Sequence, residues 1–300
     1  MLITGARTRV AVLRGGPSNA YDHSLKTGGY VLSLLREMPE AYEPLDIFIS
    51  RAGEWHKAGL VGEPHKLLSH ADVVWNALHG TYGEDGGVQR LLEGLNLPFT
   101  GSSTVSSVFA TNKEISKTLY RRHNLLTPES EVINENDFND EQLIEIFRTY
   151  FHPVIVKPSN GVRALGVRLA HTFQELKKAV KETFQHSPKV LVEEYVSGTV
   201  SSCLVVEGGK GESLYAFLPT GKRNVEENKK ITDMAKLAHS ALGLRHYSSS
   251  DFIVNPKGKI YILETNALPI FHEKSPFNES LKTTGWRPHD FVDHVLNLTI

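Results

Sequence analysis

Cysteine is nearly absent. Cys203 is the only one in 300 residues, so no disulfide can form within the chain, and a reducing compartment is expected. No apolar run approaches the ~18 residues that mark a membrane span, and the N-terminus lacks the apolar segment of a signal peptide. Neither sign of charge is in excess. Lysine plus arginine number 33 and aspartate plus glutamate 34, for a net charge of −1. That balance offers nothing to a nucleic acid or a membrane surface, and neither partner is expected. Internal repeats and low-complexity tracts are missing as well. What remains is a chain that is 40% apolar, enough for real cores. Its length suits about two domains, or three small ones, at ~100–200 residues each. A soluble cytoplasmic protein is expected.

The most informative stretch lies near the end. Ser250–Val254 and Lys259–Leu263 are apolar runs around the turn Asn255-Pro256-Lys257-Gly258, so they predict a β-hairpin. Asp251 begins the first strand. Glu264 and Asn266 end the second, two apart and so on one face. An antiparallel hairpin brings these ends together. Two carboxylates and an amide oxygen are hard donors, which suit Mg²⁺ or Mn²⁺ with room left for water and nucleotide phosphates. On the spacing alone, two solvated acids at the ends of a hairpin would look the same.

From the start, Arg9–Leu13 is a buried-type strand, Gly15-Gly16-Pro17-Ser18-Asn19 a turn, and Asp22 to Leu35 a helix. A glycine turn before a helix N-terminus is a natural anion site, though many such turns are purely structural. Further strands are expected at Leu45–Ile49 and Asp72–Leu78. The last runs into His79–Gln89, where four glycines, a histidine and two acids crowd into one loop. Ligands bind outside the carboxyl ends of strands in such sheets, and that density of titratable groups points to function. One helix is expected from Ser106 to Arg122, with Lys113 and Lys117 on one face, either as phosphate ligands or as a solvated cationic stripe. Lys157 sits in the apolar strand Pro153–Pro158, where a buried lysine needs a partner such as phosphate. The loop 159–167 follows. A helix is expected at Thr172–Phe184, then a strand, Val190–Val196, that carries the acids Glu193 and Glu194 near its end.

Taken together, these motifs resemble those of the D-alanine–D-alanine ligases of the ATP-grasp superfamily, nearly end to end, as a divergent member. The resemblance rests on Gly15-Gly16-Pro17-Ser18, His79-Gly80-x-x-Gly83-Glu84-Asp85-Gly86-x-x-Gln89, and Asn112-Lys113 with Lys117. It continues through Val156-Lys157-Pro158, Val192-Glu193-Glu194 and Asp251…Glu264-x-Asn266-x-Leu268-Pro269. It implies an α/β (α+β) three-domain ATP-grasp fold. An N-terminal Rossmann-like domain would span 1–106, a central ATP-grasp domain 107–193, and a C-terminal domain with the metal site 194–300. It implies ATP-dependent joining of two D-alanines through an acyl phosphate, for peptidoglycan precursors, by a homodimer. Lys113 and Lys157 would hold ATP phosphates. Glu193, Glu194, Tyr195 and Val196 would form the hinge that receives adenine. Asp251, Glu264 and Asn266 would hold Mg²⁺. His79 would sit beside the first substrate, and Ser18 and Ser275 stand at family positions on the substrate side.

Several positions depart from the family pattern. Ala20 stands where relatives have the glutamate that holds the first substrate's ammonium, and Asp22 is the candidate replacement. Val162-Arg163-Ala164 replaces a Gly-Ser-Ser loop, so Arg163 is a candidate cation for the attacking carboxylate or phosphate. Val200 replaces a ribose-binding acid, and Ser249 an arginine that steadies the developing oxyanion. Ile270-Phe271-His272 replaces Gly-Met-Thr. The ATP and metal frame is kept and the substrate frame altered. A second substrate such as D-serine or D-lactate, or a nucleotide-binding relative with weak catalysis, is the alternative.

Overall fold

The computed structural model describes residues 7–161, 166–221 and 223–300. It contains three sheets, of five, four and four strands.

The first sheet is built from β1 (Thr8–Gly15), β2 (Tyr42–Ile49), β3 (Trp55–Lys57), β4 (Leu60–Val61) and β5 (Val73–Asn76), with helices α1 (Tyr21–Arg36), α2 (Pro64–Leu67) and α3 (Gly87–Gly94) between or after them. The strand order is β4-β3-β2-β1-β5, with β1 parallel to both neighbours. Val10, Ala11, Val12 and Leu13 have no solvent exposure. A parallel strand covered on both faces reads as such an unbroken apolar run.

The helix expected over Ser106–Arg122 is two helices, α4 (Thr104–Thr111) and α5 (Lys113–Arg122). The break is at Asn112. Its extended backbone pairs with Asn160, and its side chain accepts from the N–H groups of Glu114 and Ile115, capping α5. Lys113 thereby becomes the first residue of a helix.

The second sheet holds β6 (Ser130–Asn134), β7 (Val154–Pro158), β8 (Arg168–Ala170) and β9 (Lys189–Glu194), in the order β6-β9-β7-β8, all antiparallel, backed by α6 (Asp140–Thr149) and α7 (Phe173–Phe184). Lys157 pairs with Leu191 and Glu193 with Ile155. Lys157 and Glu193 are therefore diagonal neighbours on one face, within reach of long side chains.

The third sheet holds β10 (Thr199–Glu207), β11 (Leu214–Ala216), β12 (Tyr247–Val254) and β13 (Ile260–Asn266), in the order β11-β10-β12-β13. Helix α8 (Val225–Ala241) precedes β12, and α9 (Pro276–Thr283) and α10 (Pro288–Thr299) end the chain. The cores do not follow the sheets one to one. Val10, Val31 and Trp75 share an apolar cluster with Phe217, Tyr247, Phe271 and Phe291, which fuses the first and third lobes. Ala110 and Tyr120 pack with Cys203, Ile231 and Phe252, so α4 and α5 lie on the third sheet. The cluster under the second sheet, around Val154, Val156, Leu176 and Val192, takes no described residue from the other two sheets.

Candidate active site

A cavity of 990 Å³ opens where the three lobes meet. The first lobe contributes Asn19, Ala20, His23, Gly80 and Thr81. The second supplies Lys157, Glu193 and the hinge, and the third Asp251 and Glu264.

Two loops shape the first wall. Gly15 and Gly16 both take positive φ, and a Cβ on Gly15 would lie 2.2 Å from the Ile49 carbonyl oxygen, so only glycine fits. Beyond them Ser18 Oγ donates to the His79 carbonyl at 2.6 Å, tying the two loops together. His79 itself is buried. Its Nδ1 is 2.9 Å from Glu84 Oε1 and its Nε2 2.9 Å from Thr27 Oγ1. With a carboxylate as partner, Nδ1 carries a proton. Gly83 holds the loop from beneath, its carbonyl accepting from Asn76 Nδ2 at 3.1 Å and Gln89 Nε2 at 2.7 Å. The imidazole is thus a strut, and it presents Gly80 and Thr81, not its own ring, to the cavity. Asp22 does not take up the expected role. The start of α1 turns it outward, where it is exposed and 3.4 Å from Arg51, and His23 faces the cavity instead. Ser275 is also committed elsewhere. It caps α9, accepting from the Asn278 N–H and donating to the His272 carbonyl, and it is not among the residues that line the large cavity. Arg163 lies outside the described residues.

The second wall is cationic. Lys113 Nζ donates to the Gly161 carbonyl at 2.6 Å and stands 3.8 Å from Glu264 Oε2. Burial lowers its pKa, and Glu264 opposes that shift. Lys157 Nζ lies 2.9 Å from Glu193 Oε1, and Lys117 Nζ 2.6 Å from Glu193 Oε2. Lys117 is not on a solvated face at all: 1% of it is exposed. Burial pushes it down to about 8 despite Glu193. Burial alone would raise Glu193, but Lys157 and Lys117 together hold it below the ordinary carboxylate value. Glu193 is therefore a buried counter-ion between two lysines. Next to it, Glu194 accepts from the Glu129 N–H at 3.0 Å and donates its own N–H to the Glu129 carbonyl, which anchors the hinge. Tyr195, half-exposed, and Val196 follow it along the cavity rim, with Val200 beyond.

The third wall carries the hairpin. Asp251 pairs with Glu264 and Ser249 with Asn266 across β12 and β13, and the register shifts just after Asp251. Such an irregularity re-aims side chains at a site. Burial raises Asp251 to about 6, Ser202 Oγ opposes the shift by donating at 2.5 Å, and the charge on Glu264 adds to it. Two like charges on adjacent strands favour a cation between them. Among the described residues no group of three or more His, Cys, Asp or Glu could hold a metal ion. The donor set is two acids and an amide, which fits a hard divalent ion whose remaining positions go to water and phosphate. Asn266 faces an adjoining cavity of 210 Å³, with Ser249, Ser202 and Glu84. Ser202 carries no sequence signal. Its role follows only from its place opposite Asp251 on β10.

Comparison with known proteins decides the lineage. The family model for the D-ala D-ala ligase C-terminus matches residues 119–217 and 212–297, and the one for the D-ala D-ala ligase N-terminus matches 57–102. A D-alanine–D-alanine ligase of Aquifex aeolicus is 31% identical over 92% of this chain and 96% of its own length. The chain belongs to the D-alanine–D-alanine ligase family. Among solved structures, the VanG D-Ala:D-Ser ligase of Enterococcus faecalis superposes with a TM-score of 0.86 at 24% identity, over 98% of this chain and all of that one. A D-alanine–D-alanine ligase of Bacillus anthracis complexed with ATP gives 0.81 at 24%, over 97% and 96%. These matches give the chain the ATP-grasp fold of the family. Among the described residues no helix is long and apolar enough to cross a membrane.

Proposed function

We propose that this protein is an ATP-dependent ligase that joins two D-alanines. The observation that carries the proposal is one cavity in which Lys113 and Lys157 face Asp251 and Glu264. Cations and metal-binding acids in one cleft are what phosphoryl transfer needs, because the reaction gathers charge on the phosphoryl oxygens.

Adenine sits against the hinge of Glu194, Tyr195 and Val196, whose backbone offers donors and acceptors. Lys113 and Lys157 carry the phosphates. Asp251, Glu264 and Asn266 would hold Mg²⁺, which when bound adds Lewis-acid charge at the phosphates. The carboxylate of the first substrate attacks the γ-phosphorus and ADP leaves. The amine of the second then attacks the acyl carbon, phosphate departs, and the amine loses a proton as the amide forms. The His79–Glu84 pair holds the Gly80–Thr81 wall against the reacting centre, and burial between lobes keeps water from the acyl phosphate. Ser18 supports the same wall. We propose three lobes along 1–106, 107–193 and 194–300, with α4 and α5 packed on the sheet of the third, a homodimer, and a cytoplasmic location.

One observation favours a different carboxylate substrate. The described residues that the first lobe gives to the large cavity include no acid, and its Glu84 lines only the adjoining one, so the ammonium of D-alanine meets no anion on that wall. Phosphate release from ATP with Mg²⁺, across D- and L-amino acids and hydroxy acids in pairs, tests both readings. D-alanine alone should support turnover in the first; a different carboxylic acid as first substrate in the second; turnover of D-alanine only beside D-serine or D-lactate would keep the D-alanine carboxylate and change the second substrate. No phosphate release with any pair would leave a nucleotide-binding relative without ligase activity.

A further inference from the structure

We propose that Lys117 is a positioning residue for nucleotide binding: from behind the cavity it holds Glu193, and through Glu193 it sets how much of the Lys157 charge reaches the phosphates. This rests on the nucleotide reading of the large cavity.

Lys117 cannot touch a ligand there. It is buried and lines no part of the cavity, whereas Lys113, Lys157 and Glu193 all do. Its ammonium has a full set of partners: Glu193 Oε2 at 2.6 Å, Thr127 Oγ1 at 3.0 Å and the Pro128 carbonyl at 2.7 Å. The first of these shares its carboxylate with Lys157, 2.9 Å away through the other oxygen. One carboxylate thus sits between two ammoniums. Were Lys157 its only partner, the two would form a neutral pair, and little net charge would face the cavity. With Lys117 drawing on the rear oxygen, the trio carries a net positive charge, and Lys157 is the member that faces the phosphates.

The charged groups around Lys117 are Glu193 on β9, Lys157 on β7 and Arg121 one turn further along its own helix. Burial lowers its pKa to about 8, so its charge weakens as pH rises through that value. Nucleotide affinity should fall with it. Burial lowers Lys113 as well, and changes at Lys117 leave that group in place.

The test is calorimetric binding of ADP and of a non-hydrolysable ATP analogue, with Mg²⁺, to the full chain between pH 6.5 and 9.5. Lys117→Met should weaken binding by about 10- to 100-fold at pH 7, the scale of a displaced contact group. Lys117→Arg, which keeps its charge at every pH, should bind at pH 7 within a few-fold of the parent and lose less affinity as the pH rises. A folded Lys117→Met with parental affinity overturns the proposal. So does a Lys117→Arg profile that matches the parent, and this arm decides the matter if Lys117→Met does not fold. Lys157→Ala separates the two layers of inference. Unchanged affinity there removes the nucleotide reading itself, while weak binding there beside parental binding in Lys117→Met removes only the role of Lys117.

Discussion

Glu193→Gln separates two roles for one side chain. As a hinge residue it would contact adenine, and its loss would weaken ATP binding and little else. As a counter-ion it holds the central lobe together, because Lys117 and Lys157 both lean on it at 2.6 and 2.9 Å in a site that is 3% exposed. Glutamine has nearly the same shape but no charge, so both ammoniums would be left buried without an anion. Removing one partner of a buried pair costs about 3–5 kcal/mol. At about 1.4 kcal/mol per tenfold, that is a factor of about 100 or more in the local opening equilibrium. Hydrogen exchange of the β7 and β9 amides, without nucleotide, reads this directly. Their protection should fall about 100-fold or more, while β1 and β5 keep theirs, since the central apolar cluster takes no described residue from the other sheets. Adding Lys117→Met should return part of the loss, because one stranded charge is gone. Parental protection in Glu193→Gln, with weaker ATP binding alone, would refute the counter-ion argument.

Three further outcomes are expected. Glu264→Gln should abolish Mg²⁺-dependent phosphate release and leave the circular dichroism spectrum intact; full activity at limiting Mg²⁺ would remove Glu264 from the metal site. His246 is lowered to about 4, chiefly by burial, with Arg245 adding to it, and its Nδ1 accepts from the Gly101 N–H at 3.0 Å. The unfolded chain therefore takes up this proton first. The contribution is fully present above about pH 6.5 and falls by up to about 3 kcal/mol as the pH drops to about 4, which urea midpoints should trace and His246→Gln should flatten. Gly80→Ala places a Cβ 2.9 Å from Ser18 Oγ at a φ of +79°, so it should cost about 1–2 kcal/mol by thermal unfolding and lower kcat by displacing the wall; an unchanged Tm would mean that the loop yields freely.

What the sequence could and could not convey follows from the range of each interaction. The hairpin was legible because its information is local: alternating apolar residues, a turn of four, and acids at matched ends. Asn112 was not. Its flanks continue a helical pattern on both sides, and the break comes from pairing with Asn160, 48 residues on, beside the 2.6 Å contact of Lys113 with Gly161. Lys117 gave the right spacing but not the right side, because a lysine at a helical i+4 position looks alike whether it faces water or a buried carboxylate. Asp22 shows the reverse. Its type suited an ammonium, but one residue of helix is about 100° of rotation, and that is enough to carry it out to Arg51. Ser202 is invisible in the sequence, since a serine on an apolar strand announces nothing until Asp251 is placed beside it.

The same contrast explains why the site lies where it does. The first and third lobes are welded through Trp75, Tyr247, Phe271 and Phe291, so the Gly80–Thr81 wall and the acids of β12 and β13 keep a fixed relation. Close-packed aromatic cores do not deform in small steps. The second sheet has a core of its own, and beside the cavity it meets the start of α5, which packs on the third sheet, through polar links: the Asn112–Asn160 bridge and the Lys113 ammonium on the Gly161 carbonyl. Polar links of this kind can be exchanged for phosphate contacts at little net cost, because each broken bond is replaced by a charge-assisted one. On the proposed mechanism, the rigid pair would supply the acids and the substrate wall against which the phosphoryl group is aligned.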